Sequence, residues 1–476
     1  MSMKPILSFL SEQEIKLVHQ TSLRILSEIG MKMPHKEALE VLMKAGAAVN
    51  ETTGIVKFPS CLVDKALETV PKRADVTLYA QTPEHDVNFV DNLPTNVCMT
   101  MAIDVIDPWN GERRPASNED LARLTWLADR SPVIAVNGGL VTPQDVPGAY
   151  NDWYTWATCL QNTTKHITGG MLGAKCVRDA VEMASIALGS KELFYKRPCI
   201  SGWVLTLPCL GIDFESLDAM MEMNRLNIPI ILTSGPMVGA SAPMSCAGAL
   251  AQAHAEILAC ITLAQLVNPG SPVIYTSFVR SLDMRTVTAC MGSPESGMMR
   301  AAMAQLGRYF DLPIRMPALL RDSKVLDAQA GFETALTGAL NIFNADLMDS
   351  MQLDSDLLVD YADLIFTPDC VQALQRVSRG INVTEKAMDD SVSAINEIGC
   401  GGSFLEHPMS FKNCRKEIWH PKVHNRQNYS VWKEAGAKDV HKTATEKVIT
   451  LLEERKGPLL SQDKCDAINA VLKKLL

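Results

Sequence analysis

No two cysteines in this chain stand closer than ten residues, the tightest pair being Cys199 and Cys209. The 13 thiols, spread over 476 residues, form no CxxC metal or redox motif and no dense disulfide framework. They read as buried, reduced cysteines. A basic run is missing too. With 45 Lys and Arg against 54 Asp and Glu, the net charge is −9, which gives no electrostatic footprint for nucleic acid or an anionic membrane. The opening stretch, residues 1–16, lacks the uncharged apolar core of a secretion signal. The strongest apolar run, residues 257–267, is too short to span a bilayer. Low-complexity segments and long linkers are absent. What remains is a chain with 47% hydrophobic and 21% charged residues, a globular composition that excludes disorder. It reads as soluble and cytoplasmic.

The first 94 residues read as a helical extension. Ser11 and Glu14 form a capping-box pattern, and Gly30 closes the helix they open. From residue 95 the rhythm changes. Short β-branched runs at 133–138, 166–172, 199–205, 229–234, 273–279, 312–318 and 340–344 alternate with helical stretches; an eighth run is either 96–101 or 363–367. Strand then helix, repeated about eight times, is the pattern of parallel βαβ units closing into a (β/α)8 TIM barrel, an α/β fold. A doubly wound sheet is the rival, but GxGxxG after a first strand is absent. The expected organisation is an extension over 1–94, a barrel over 95–414 and a helical tail over 415–476.

Barrel chemistry sits where strands end. The strand ends are rich in glycine, including Gly169, Gly170 and Gly235, which lets a ligand approach the backbone. Trp203, Tyr275 and Phe278 are the aromatics placed to line a mouth and attract a quaternary ammonium. Strand alternation forbids Tyr275 and Phe278 from both pointing inward unless the strand end bends. Among six aspartates between 344 and 363, Asp346 with Asn344 lies nearest a strand end and is the candidate for chemistry. Asp354, Asp356, Asp360 and Asp363 read as a solvated helix face. GGMLGAK at 169–175 has the wrong spacing for a P-loop, no HExxH occurs around His420 and His424, and Asp439-Val440-His441 lacks the glycine of a cobalt-ligating loop.

Several stretches resemble one family. DSKVLDAQAGFE at 322–333, GSPE at 292–295, GRYF at 307–310, FLEHP at 404–408, WHP at 419–421, Arg426 and YSVW at 429–432 are similar to the signature of the trimethylamine methyltransferase family. The resemblance spans nearly the whole chain. It implies a TIM barrel that transfers an N-methyl group to the Co(I) corrinoid (cobalamin) of a separate corrinoid protein, with no cofactor held permanently in this chain. The family's archetype carries pyrrolysine, which is not written here. The resemblance is therefore to the branch acting on quaternary amines such as glycine betaine, proline betaine and carnitine.

A quaternary ammonium leaves as a neutral tertiary amine, so departure needs no general acid. It needs a pocket that aligns one N–CH3 and excludes water. A betaine also carries a carboxylate, for which Arg321 and His407 are the candidates. The alternative reading is a zinc-dependent TIM-barrel methyltransferase or hydrolase, which requires three or four convergent His, Cys, Asp or Glu ligands at strand ends. A non-catalytic quaternary-amine binder is a third. The helical tail and the resemblance together suggest a homo-oligomer.

Overall fold

The computed structural model describes residues 6–90, 94–99 and 101–475. Eight strands close into a barrel in chain order: β1 (Thr95–Val97), β2 (Ile134–Asn137), β3 (His166–Gly170), β4 (Ile200–Leu205), β5 (Ile230–Ser234), β6 (Val273–Ser277), β7 (Ile314–Met316) and β8 (Leu347–Asp349). Every neighbouring pair is parallel, and β8 returns to β1 through Met348 opposite Asn96. A helix follows each strand: α1 (Asn118–Arg130), α2 (Asn151–Asn162), α3 (Gly173–Leu188), α4 (Phe214–Arg225), α5 (Cys246–Val267), α6 (Pro294–Tyr309), α7 (Ala328–Asn341) and α8 (Asp363–Ser378). This is the (β/α)8 TIM barrel that the alternation predicts.

Two expected strands are corrected. Residues 340–344 end α7 and turn out of it, and the eighth strand begins at Leu347. Thr334, Thr337 and Asn341 are buried at helical spacing along α7, so the period there is 3.6 rather than 2. Residues 363–367 open α8; the first strand is the alternative at 95–97, and Thr100 of the expected 96–101 run lies outside the described residues.

Side chains alternate across each strand. The outward set, including Ile167, Ile200, Ile230, Val273, Ile314 and Met348, packs under the helices. The inward set, Val97, Val136, Ile231, Ile274 and Leu347, forms a separate cluster with Val76, Leu78, Val87 and Phe89. Those last four come from a hairpin that pairs Thr77–Leu78 with Val87–Asn88. The hairpin plugs the N-terminal end of the barrel, so reactants have access from the C-terminal end.

Helix α5 is apolar and long enough to cross a membrane by composition, yet 89% of its apolar window is buried. Helices 12–24 and 60–69 of the N-terminal extension pack against it. The capping box at Ser11 is present, with Ser11 N–H donating to Glu14 at 2.8 Å. The C-terminal region adds α9 (Glu385–Ile398), α10 (Pro408–Glu417) and α11 (Tyr429–Glu434), then helices 440–453 and 462–473, which return to the barrel wall.

Candidate active site at the C-terminal mouth of the barrel

Above the apolar floor, the barrel interior turns polar. Trp203, fourth residue of β4, points inward with 9% of its surface exposed. Its indole N–H donates to Thr168 Oγ1 at 2.7 Å. The guanidinium of Arg315, the middle residue of β7, lies 5.6 Å from the Trp203 ring centre, and Arg315 is ion-paired with Asp349, the last residue of β8. Arg315 and Asp349 sit at inward positions for the same reason as Leu347: each is an even number of residues from an inward neighbour or pairs in register with one.

Three further arginines close over these groups, from the loops after β6 and β7 and from α6. Arg321 donates to Asp363 at 2.9 Å and to Thr367 at 3.2 Å. Arg280 donates to the carbonyls of Gly235 at 2.9 Å and Phe278 at 3.2 Å. Arg300 is fully buried and donates to the carbonyls of Val279, Met291 and Pro317 at 3.0 to 3.1 Å. Arg280 and Arg300 thus carry charge into the mouth held by backbone oxygens and, for Arg300, the Met291 thioether at 3.9 Å, with no carboxylate partner. Burial lowers the affinity of Arg300 for its proton to a pKa of about 10, and it remains charged at neutral pH.

The loop after β8 turns back over the same space. Ser350 has φ +78°, and Asp354, Ser355 and Asp356 follow with φ of +53°, +56° and +74°. Left-handed backbone costs a non-glycine residue about 1–2 kcal/mol, so such a run persists only where the surroundings fix it. Here Asp354 N–H donates to the Ser323 carbonyl at 2.7 Å and Ser355 N–H to the Arg321 carbonyl at 2.9 Å. The result buries Asp356, with 3% of its surface exposed and both carboxyl oxygens without a hydrogen-bond partner. Other orphaned atoms belong to groups at the same, C-terminal end of the barrel strands: Arg280 Nε, Arg315 Nε, Arg321 Nε, Asp349 Oδ1, Ser350 Oγ and Thr276 Oγ1. Buried polar groups are almost always paired, so this concentration at one end of the barrel marks a place built for a polar ligand.

The residues singled out from sequence separate accordingly. Trp203, Phe278, Arg321 and the Gly235 carbonyl lie at the mouth. Phe278 is already covered by the guanidinium groups of Arg280 and Arg300, at 5.0 and 5.6 Å. Arg321 is committed to Asp363. Tyr275 points outward, fully buried, with its hydroxyl 2.9 Å from His254 Nδ1 on α5; alternation places Ile274 and Thr276 inward instead. Gly169 faces outward, where a Cβ would come within 2.8 Å of the Trp156 ring, and the Gly170 carbonyl accepts from the Trp156 indole at 2.8 Å; both positions answer to close packing of α2. Asp346 and Asn344 lie at the opposite end of the barrel, because the strand follows them rather than precedes them. Asp346 there pairs with Arg73 at 2.6 Å and Arg308 at 2.9 Å and accepts from Ile314 N–H. His407 caps α10 and meets Glu397 at 3.2 Å, both within the C-terminal segment.

Sequence reasoning passes over Asp349, Asp356, Arg280, Arg300 and Arg315. A signal existed for Arg315, a charge in the middle of an otherwise apolar run. For Asp356 none existed, since it stands in a segment that reads as a solvated helix face. Asp356, Asp360 and Asp363 are buried instead. Among the described residues, no group of three or more His, Cys, Asp or Glu gathers in a metal-binding arrangement, so the zinc reading finds no ligand set.

A closed parallel barrel, plugged at one end and charge-lined at the other, defines a (β/α)8-barrel protein whose chemistry belongs at the strand C-termini. The model of the family described as Trimethylamine methyltransferase (MTTB) matches residues 1–475. The Trimethylamine methyltransferase MttB of Desulfitobacterium hafniense (strain DSM 10664 / DCB-2) is 30% identical over 450 residues, covering 93% of this chain and 89% of its own. Glycine betaine methyltransferase of Desulfitobacterium hafniense (strain Y51) is 31% identical, with 90% and 89% covered. Proline betaine:corrinoid methyltransferase of Eubacterium limosum is 30% identical, with 98% and 97% covered. The chain belongs to the trimethylamine methyltransferase family and is a methyltransferase.

Proposed function

We propose that this enzyme moves an N-methyl group from a quaternary amine of the glycine betaine, proline betaine or carnitine type to the Co(I) corrinoid of a separate corrinoid protein. The observation that carries the reading is the mouth itself: an inward tryptophan beside buried arginines in a barrel of this family. The indole face of Trp203 suits a trimethylammonium group, which offers no N–H to bond. Arg280 and Arg300, held by carbonyls rather than carboxylates, supply positive charge for the betaine carboxylate. The corrinoid, arriving on its partner as methyl acceptor, supplies a nucleophilic metal centre. The protein's own share is to orient one N–CH3 toward the open end and keep water out.

The test is an anaerobic assay of purified enzyme, reduced corrinoid protein and each amine in turn: glycine betaine, proline betaine, carnitine and trimethylamine. Loss of the Co(I) absorption with one quaternary amine, and formation of the matching tertiary amine, is the expected result. Turnover of trimethylamine alone, or of none of the four with competent partners, overturns the reading. The enzyme works in the cytoplasm in this reading, in keeping with 13 unpaired thiols, and as a homo-oligomer. The C-terminal segment supports the latter: α9 buries only Ala394, and α10 and α11 bury none of their residues.

A further inference from the structure

Asp356 is the buried acid at the mouth that the methyl transfer itself leaves unused. Its neighbours are committed: Asp349 to Arg315 and Asp363 to Arg321. Asp356 alone keeps both oxygens free of hydrogen bonds, and a strained loop of three successive left-handed residues holds it inside. The charged groups facing it are Asp349 at the end of β8, Arg300 on α6, Arg321 after β7 and Arg280 after β6.

Resting on the functional reading above, we propose that Asp356 is a catalytic acid that hands its carboxyl proton to the tertiary amine as the amine is formed. When the C–N bond breaks, its electron pair stays on nitrogen, while the acceptor supplies the pair for the new bond to the methyl carbon. The nitrogen lone pair then takes the proton from the Asp356 O–H. An ammonium remains, paired with a carboxylate that faces three guanidinium groups. An amine in that form has no lone pair and cannot take the methyl group back. On product release the carboxylate recovers a proton from solvent. Departure itself requires no acid, but it is reversible until this proton moves, so the net rate of a turnover follows the acid form of Asp356.

Burial and the neighbouring Asp349, opposed by the three arginines, raise Asp356 to a pKa of about 7. The acid form therefore prevails below that pH and is lost above it.

Two readouts test the assignment. In single turnovers with the reduced corrinoid protein, the wild-type rate should fall about tenfold per pH unit above pH 7 and show a solvent deuterium effect. Asp356→Asn should abolish both, and Asp356→Glu should restore them. In calorimetry without any corrinoid, Asp356→Asn should weaken the tertiary amine product about tenfold, since the ammonium loses a charge-assisted hydrogen bond. The quaternary substrate should change by no more than about twofold, having no N–H to donate. Equal weakening of both ligands, or a wild-type rate with no solvent isotope effect, overturns the proposal while leaving the methyltransferase reading intact. Absence of quaternary-amine demethylation by the wild type overturns both. The wild-type pH and isotope measurements stand even where the Asn variant does not fold.

Discussion

His166, first residue of β3, shows how single side chains in this barrel tie stability to pH. It is fully buried, with Nδ1 at 2.7 Å from the Tyr79 carbonyl and Nε2 at 2.9 Å from Ser201 Oγ. Burial lowers its pKa from 6.5 to about 4. The unfolded chain thus binds the proton more readily. Stability is at its full value above about pH 6.5 and declines as pH falls toward 4, by about 3 kcal/mol in total. Denaturant titrations across that range should show this slope, and His166→Gln should flatten it; an unchanged slope would place the titration elsewhere. Tyr275 offers a second test. Tyr275→Phe leaves His254 Nδ1 unpaired in the core and should cost about 1–3 kcal/mol. The KM for the amine should not move, because the hydroxyl serves the interface with α5 and not the mouth. A rise in KM without a loss of stability would return Tyr275 to the substrate pocket.

At the scale of elements, the barrel depends on small residues where helices press on strands, and on the hairpin at its base. Gly169→Ala drives a methyl group into the Trp156 ring at 2.8 Å, an overpacking worth about 1–3 kcal/mol. A lowered Tm with unaltered binding of the corrinoid protein is the expected outcome; loss of that binding at full stability would assign the glycine to the acceptor surface instead. Phe89 beside the base hairpin is 2% exposed and packs into the inward cluster. Phe89→Ala should cost about 3–5 kcal/mol and open the floor to water. Unfolding measurements on the purified variant check the first effect. Helix α5 illustrates the limit of composition: its hydropathy matches a membrane span, and it is apolar all round because the strands and helices 12–24 and 60–69 cover it on every side.

For the molecule as a whole, the segment 379–436 stands apart except at 422–424, which bond Asp369 of α8 and bury Val423. Ile381, Val392, Leu405, Phe411 and Tyr429 are between 66% and 84% exposed, while the chain on either side is packed against the barrel. Large apolar side chains exposed to that degree are the mark of an interaction site. In the homo-oligomer proposed above, these residues meet another copy. Val392→Asp with Leu405→Asp should then reduce the particle mass in sedimentation velocity while lowering the stability of the barrel by no more than about 1 kcal/mol. A wild-type enzyme that sediments as a monomer would defeat the expectation.

The alternation of β-branched runs with helical stretches determined the barrel by itself, because strand and helix periods differ and each must bury one face. It also singled out Trp203 near the end of β4, where strand alternation turns the ring inward. The signature stretches at 292–295 and 322–333 pointed to the family. Only the tertiary structure decided which end each acid occupies. A misplaced eighth strand moved Asp346 to the wrong end of the barrel, since apolar runs of five residues fit a strand or a helix equally well. The left-handed loop that turns Asp356 inward has no sequence signature, for Asp and Ser there adopt a conformation they rarely choose. What holds it is a set of hydrogen bonds to Arg321 and Ser323, residues more than thirty positions away, and long-range contacts of that kind exist only once the barrel has closed.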